Sequence, residues 1–259
     1  IMAGWGSNNK YSMLAAFRAL AILISYEIPM VLAMLIPVML AGTMSLNGII
    51  LSQDVWYIVA APLASLVFFI SQVAEVGRAP FDLNEAESEL VAGVNTEYSG
   101  LKFGMFYVAD FLHAFTIALL FAVLFLGGWR GPGAEERPLL GYVYLFIKTM
   151  FIYFINIVMR ASLPRLRIDQ LMSLTWKFFT PMMVALVILM GLVDKIAPLS
   201  QDIWRALLML AVNGVVFLVS FRLLDRQTER KPRPSVVKRE LPVAVGSPPR
   251  RNSDAEVSS

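Results

Sequence analysis

Six stretches of this chain are almost wholly apolar: about residues 13–41, 55–76, 103–127, 140–161, 177–195 and 203–222. A bilayer core of roughly 30 Å takes about 20 such residues per helix. None of the six carries the charge density of a soluble amphipathic helix, so each is predicted to be a transmembrane helix. The connections differ in character. Loops 42–54, 128–139 and 196–202 are short, loop 77–102 is long and acidic, and loop 162–176 is short and basic. From residue 225 the chain turns Pro-, Ser- and Arg-rich with almost no aromatics, which predicts a disordered tail over 225–259 behind a transmembrane helical domain over 1–224.

Six spans place the N-terminus, loops 77–102 and 162–176 and the tail on one side of the membrane. That side holds Lys10, Arg78, Lys102, Arg160, Arg165, Arg167, Lys177 and nine basic residues from Arg222 onward. The other holds Arg130, Arg137, Lys195 and Arg205. The excess of positive charge assigns the first side to the cytoplasm or its equivalent. The fold class expected is therefore an all-α integral membrane protein of about six transmembrane helices with one long cytoplasmic acidic loop. It would lie in the bilayer of the cell inner (plasma) membrane, or of an organellar inner membrane in a eukaryote, and no nucleic-acid partner is expected.

Composition sharpens this picture. Apolar residues make up 58% of the 259 and charged residues 16%, against about 25% charged in soluble globules; mean hydropathy is +0.66. The chain has no cysteine and one histidine, His113, which argues against cysteine-ligated zinc, iron–sulfur clusters and multi-histidine haem sites on this chain. No Gly-rich phosphate loop is present, and no cleavable signal peptide is expected. The chain starts at Ile1 in a loop-like stretch, Gly4 to Lys10, as a fragment of a longer protein would.

Ionisable residues inside spans are costly and point to function. Glu27 lies in Ser25-Tyr26-Glu27-Ile28-Pro29, where Pro29 deprives the Ser25 carbonyl of its helical donor. A free carbonyl beside a buried carboxyl suits a hydrated proton path; a pair with a basic residue in the bundle is the alternative. Glu75 ends the second segment, either as part of such a path or as a helix-end partner of Arg78. Asp110 and His113 are three apart on one helical face, a candidate proton relay or a satisfied polar contact. Lys148, inside the fourth segment, either reaches an interface or counters one of these carboxyls.

The acidic loop is the most informative stretch. It runs Arg78-Ala79-Pro80-Phe81-Asp82-Leu83-Asn84-Glu85-Ala86-Glu87-Ser88-Glu89-Leu90. Asp82 and Glu85 have capping-box spacing, which predicts a short helix from about Leu83. On it Glu85 and Glu89 share a face, with Asp82 near the same edge. Partly buried, such carboxyls share protons and respond to a neighbouring charge; a solvated acidic surface is the plainer alternative.

At this loop the sequence resembles the family of the quinone-site membrane subunit of respiratory complex I, the H-type subunit of bacteria and subunit 1 of mitochondria. The run from Arg78 through Glu-Ser-Glu-Leu-Val-Ala-Gly to Thr96-Glu97-Tyr98-Ser99-Gly100 is similar to the family's signature. Gly4 to Tyr11 resembles the loop before its fourth helix, Ser25-Tyr26-Glu27 its Ser-Tyr-Glu motif, and Arg160 to Met172 with Trp176, Lys177 and Pro181 its second signature. The likeness covers about residues 4–185, so the family's first helices have no counterpart here.

The resemblance implies a membrane subunit of a proton-translocating NADH:quinone oxidoreductase, a translocase of the respiratory chain. Arg78, Phe81, Asp82, Glu85, Glu87 and Glu89 would line a quinone (ubiquinone-type) chamber. Glu27, Glu75 and Asp110 would carry proton coupling into the membrane arm. Arg165, Arg167 and Asp169 would contact the peripheral arm. It also implies that this chain binds no cofactor, quinone being the substrate, with NADH, FMN and iron–sulfur clusters on partner chains. Those partners would be the peripheral-arm quinone-site subunits and small membrane-arm subunits. Two positions depart from the family pattern: Asp110 stands where Glu is common, one methylene shorter, and Val76 where a polar residue is common. The alternative within the superfamily is the equivalent subunit of a membrane-bound hydrogenase or another ferredoxin- or coenzyme-linked complex. A six-helix secondary transporter would show internal repeats, and none is found between residues 1–110 and 111–222. A structural anchor would tolerate neutral residues at positions 27 and 110.

Overall fold

The computed structural model describes residues 2–77, 81, 97–134, 137–162, 168–196 and 202–229. Every regular element among them is helical. The helices are α1 (Met2–Gly6), α2 (Lys10–Ala41), α3 (Leu46–Leu51), α4 (Tyr57–Ala60), α5 (Pro62–Glu75), α6 (Gly100–Phe125), α7 (Pro138–Ser162), α8 (Ile168–Leu174), a π-helical turn Thr175–Phe179, α9 (Thr180–Ile196) and α10 (Asp202–Glu229). Four helical stretches are long and apolar enough to cross a membrane: Lys10–Ala41, Gly100–Phe125, Pro138–Ser162 and Gln170–Lys195. Pro62–Glu75 and Ala206–Arg222 are shorter apolar helices. An all-α membrane protein is what the apolar segments predicted.

The first span is capped at both ends. Asn9 accepts the Tyr11 amide at 3.0 Å, and Gly42 closes the far end in the left-handed region at φ 65°. Its 32 residues rise about 48 Å, more than the apolar thickness of a bilayer, so α2 tilts or projects. It packs chiefly on α5 and α9, and these helices share one core with α6 in which Tyr26, Ile36, Phe68, Phe125 and Met183 are buried.

Several boundaries differ from the hydropathy reading. The second segment, expected unbroken over 55–76, is interrupted at Ala61 (φ −133°, ψ 63°). The cause is Pro62, which lacks an N–H and drives the preceding residue out of the α region. Asn213 of α10 donates to the Ala60 carbonyl at 3.2 Å and to Met209 at 2.8 Å. In the expected loop 42–54 a short helix, α3, forms because Ile49 and Ile50 bury against the end of α6. The expected basic loop 162–176 is helical from Ile168, where Leu171 enters the core at 1% exposure. The last helix runs through Glu229, past the start of the tail expected from 225.

The Lys148 ammonium faces backbone carbonyls rather than a carboxylate. It donates to the carbonyls of Leu126 (2.7 Å), Gly128 (3.0 Å) and Arg130 (2.8 Å), with the Trp56 ring 5.4 Å away. It neutralises the carbonyl-rich C-terminal end of α6. Gln53 completes that end by donating to Val123 and Leu124.

Candidate functional site

Glu75 is the last residue of α5, at the end that leads into the acidic loop. Its Oε1 lies 3.7 Å from His113 Nε2 of α6. The carboxyl is 23% exposed and the imidazole 45%, and Glu75 Oε2 is buried with no protein partner. The pair is ionic only when the imidazole is protonated. Glu27 of α2 is close enough to interact electrostatically with Glu75. Three helices thus bring two carboxyls and the single histidine into one cluster.

The sequence grouped His113 with Asp110 by helical spacing; the structure adds the contact to Glu75, which spacing cannot reveal. Asp110 lies half-buried one turn before His113. Glu27 is not buried, as the carbonyl-and-carboxyl argument supposed. It lies on an exposed face of α2 beside Ile24, Ile28 and Val31. Its neighbours divide sharply, since Ser25 and Tyr26 are both buried at 2% exposure. Phe81, the one described residue of the acidic stretch, is buried, with its ring 5.5 Å from that of Tyr26. Arg78, Asp82, Glu85, Glu87, Glu89, Arg165 and Arg167 lie outside the described residues, as does the side chain of Asp169.

The Ser-Tyr-Glu stretch packs against the second signature through its buried members. Ser25 Oγ donates to the Ala21 carbonyl at 2.7 Å and lies 2.9 Å from Met172 Sδ; Trp176 Nε1 donates to Ser25 Oγ at 3.3 Å. The π-helical turn sits at this junction, with Thr180 Oγ1 bonded to the Thr175 carbonyl five residues back. The Tyr26 hydroxyl lies beside Thr175 without completing a hydrogen bond. A second contact joins the N-terminal stretch to the end of the acidic loop: Tyr98 Oη donates to the Ala3 carbonyl at 2.7 Å and Asn9 Nδ2 to Glu97 at 2.9 Å. Four stretches singled out in the sequence are therefore joined by these contacts, with the Tyr26–Phe81 ring contact linking the two pairs.

Arg18, Ser71 and Gln72 were not among the sequence candidates. Arg18 lies half-buried within α2 with its Nε out of solvent; the rule that marks Glu27, a charge within an apolar span, marks it equally. Ser71 and Gln72 are fully buried on α5, and polar residues on an otherwise apolar helix were the available signal. A groove of about 600 Å³, lined by Trp56, Phe69, Phe121, Ile147 and Phe151 among others, carries no acidic residue. Among the described residues no group of three or more His, Asp or Glu side chains has the arrangement of a metal site.

The sequence profile described as NADH dehydrogenase matches residues 1–191. The H-type subunit of NADH-quinone oxidoreductase from Dehalococcoides mccartyi (strain CBDB1) is 46% identical over 224 residues, 86% of this chain and 60% of the relative. Its namesake in Geobacillus thermodenitrificans is 46% identical over 197 residues, 76% of this chain and 59% of the relative. A namesake in Geobacter sulfurreducens is 46% identical over 191 residues, 73% and 56% respectively. The chain spans somewhat more than half the length of these relatives. On the extent of the profile match and on identity sustained across most of its own length, the chain belongs to the NADH dehydrogenase family.

Proposed function

We propose that this chain is the membrane subunit of a proton-translocating NADH:quinone oxidoreductase that lines part of the quinone chamber and opens the proton path into the membrane arm. The observation that carries the reading is the convergence of Glu75, His113 and Glu27 at the end of α5 where the acidic loop begins. The relatives' shared name supplies the chemistry. Quinone reaches the site from the bilayer and binds beneath loop 77–102. Electrons arrive from cofactors on partner chains. Reduction creates negative charge and a demand for two protons beside that loop. The carboxyls of the loop, with Arg78 and Phe81, respond first, and Glu75, Glu27 and Asp110 pass the change onward. Such coupling requires an element with two arrangements that both sites bias.

The exposure of Glu27 supports membership of a larger assembly. A carboxylate on the outer face of a membrane helix is costly in lipid, so in the complex that face meets another membrane subunit. Arg165, Arg167 and Asp169 serve the contact with the peripheral arm. The cell inner membrane, or its organellar equivalent, is the compartment that this role requires.

The test is photo-crosslinking of membranes with a quinone-analogue azide, followed by peptide mapping. Label within residues 75–100 that excess quinone competes away supports the chamber. An intact complex with labelled neighbours and no competed label here moves the chamber to another chain. Replacing Glu27 with Gln tests the path separately: pumping-linked turnover is expected to vanish, and near-normal activity in membranes removes Glu27 from it.

A further inference from the structure

Four side chains of the α2–α5 region hold polar atoms that are buried and bonded to nothing in the protein: Tyr26 Oη, Ser71 Oγ, both amide atoms of Gln72 and Glu75 Oε2. Buried polar groups are nearly always satisfied, and each exception needs a reason. Gln72 is the sharpest case, since it is 0% exposed and neither its donor nor its acceptor is used. It stands three residues before Glu75 on α5, and Ser71 stands four before, so all three share one side of the helix.

Ser71 makes the same point independently. A hydroxyl within a helix has the carbonyl four residues back in reach. Ser25, Thr149 and Thr175 all make that bond, at 2.7, 2.8 and 3.0 Å. Ser71 does not, although it is as deeply buried. Its hydroxyl is left without a protein partner, as a group serving an external ligand would be. Together the four side chains offer donors and acceptors in nearly equal measure. They carry no fixed cation, and the Phe81 ring packs against Tyr26. A small neutral molecule that both donates and accepts suits each of them, and water is such a molecule.

We propose that Gln72 is a positioning residue of the proton path, holding internal water beside Ser71 and the buried oxygen of Glu75. This rests on the proposed role of Glu75. The amide fixes the water, and the water presents or receives the proton at Glu75 Oε2. Gln72 itself neither gains nor loses one.

The experiment uses the assembled complex in membranes and compares Gln72→Leu, Gln72→Asn and Glu75→Gln. Proton translocation per quinone reduced, its pH profile, and redox-triggered infrared difference spectra in H2¹⁶O and H2¹⁸O are read for each. Gln72→Leu is expected to lower proton translocation by about tenfold, to shift its pH profile and to remove the isotope-sensitive water bands. Gln72→Asn, which keeps the amide, should restore part of all three. A Gln72→Leu complex with full coupling and unchanged water bands, beside an uncoupled Glu75→Gln complex, overturns the role of Gln72 and leaves that of Glu75. Full coupling in Glu75→Gln overturns the path itself. Should Gln72→Leu fail to assemble, Gln72→Met, closer in length, makes the same comparison. The unsubstituted complex gives a measurement that needs no variant, and the absence of isotope-sensitive water bands from it overturns the proposal.

Discussion

His113 Nε2 stands 3.7 Å from Glu75 Oε1, and this contact joins two helices that the acidic loop separates in sequence. The imidazole is nearly half exposed, so solvent or a partner chain also reaches it. The distance is that of an ion pair rather than a short hydrogen bond. A partly exposed pair of this kind contributes about 1 kcal/mol at most. Its significance is positional: an imidazole and a carboxyl group meet where α5 passes into the loop. The expected outcome is that Glu75→Gln and His113→Gln are not additive in quinone-linked proton translocation. A double-mutant cycle should return an interaction of about 0.5 kcal/mol or more. Additive losses would show that the two residues act separately.

The break in the second span makes a prediction about stability. The Ala60 carbonyl, which would accept from residue 64 in an unbroken helix, accepts from Asn213 of α10 instead. In the apolar interior no water substitutes cheaply for that donor. Asn213→Leu should destabilise the membrane domain by about 1–3 kcal/mol, the cost of leaving a buried carbonyl unsatisfied. Thermal unfolding of the detergent-purified complex would show it as a lowered midpoint. An unchanged midpoint would mean that the break is held by packing alone.

The apolar segments made the spans legible, because in lipid every backbone group must be satisfied within the helix and the length needed is fixed by the bilayer. What escaped that reading is local or tertiary. Pro62 was visible as a helix breaker, but mean hydropathy across 55–76 does not register one missing N–H. Helix α8 begins inside a stretch whose arginines read as a loop; its apolar residues Leu171 and Met172 outweigh them only once α2 is there to pack against. The π-helical turn arises from one residue more than the α-helical register accommodates, which no hydrophobic pattern reports. Within the site, Glu75 and His113 were each marked by charge in an apolar span. Their pairing and the burial of Gln72 depend on how α5 meets its neighbours, and the residue pattern of a single chain carries no signal for that.

Lys148 supplies a prediction that separates a structural lysine from a catalytic one. Its three carbonyl partners leave none of the ammonium's donors unused. Lys148→Met keeps the length and removes all three bonds at the end of α6. A loss of about 3 kcal/mol is expected, since three part-buried carbonyls lose their donor together. It should appear as poor assembly or a lowered unfolding midpoint. The pH profile of whatever complex forms should match that of the unsubstituted protein. A shifted profile with normal stability would instead place Lys148 in the proton path.

Gly128 tests the same corner from the other side. It lies in the turn after α6 at φ 49°, and a β-carbon placed there would come 2.6 Å from Ile50 Cδ1 and 2.9 Å from Ile50 Cγ1. Gly128→Ala therefore meets two obstacles: a backbone region that L-residues resist and a clash with a buried residue of α3. A destabilisation of about 2–4 kcal/mol is expected from the two together. Ile50→Ala removes the methyl and methylene that clash but leaves the backbone strain. On its own it costs about 2 kcal/mol or more as a cavity against the end of α6. In the double variant the added alanine methyl occupies part of that cavity, so the combined loss should be clearly smaller than the sum. Unfolding midpoints of the two single variants and the double variant decide the matter. Strict additivity would mean that α3 moves aside from Gly128 freely, and that the cap over α6 is held by Gln53 and Lys148 rather than by the packing of Ile50.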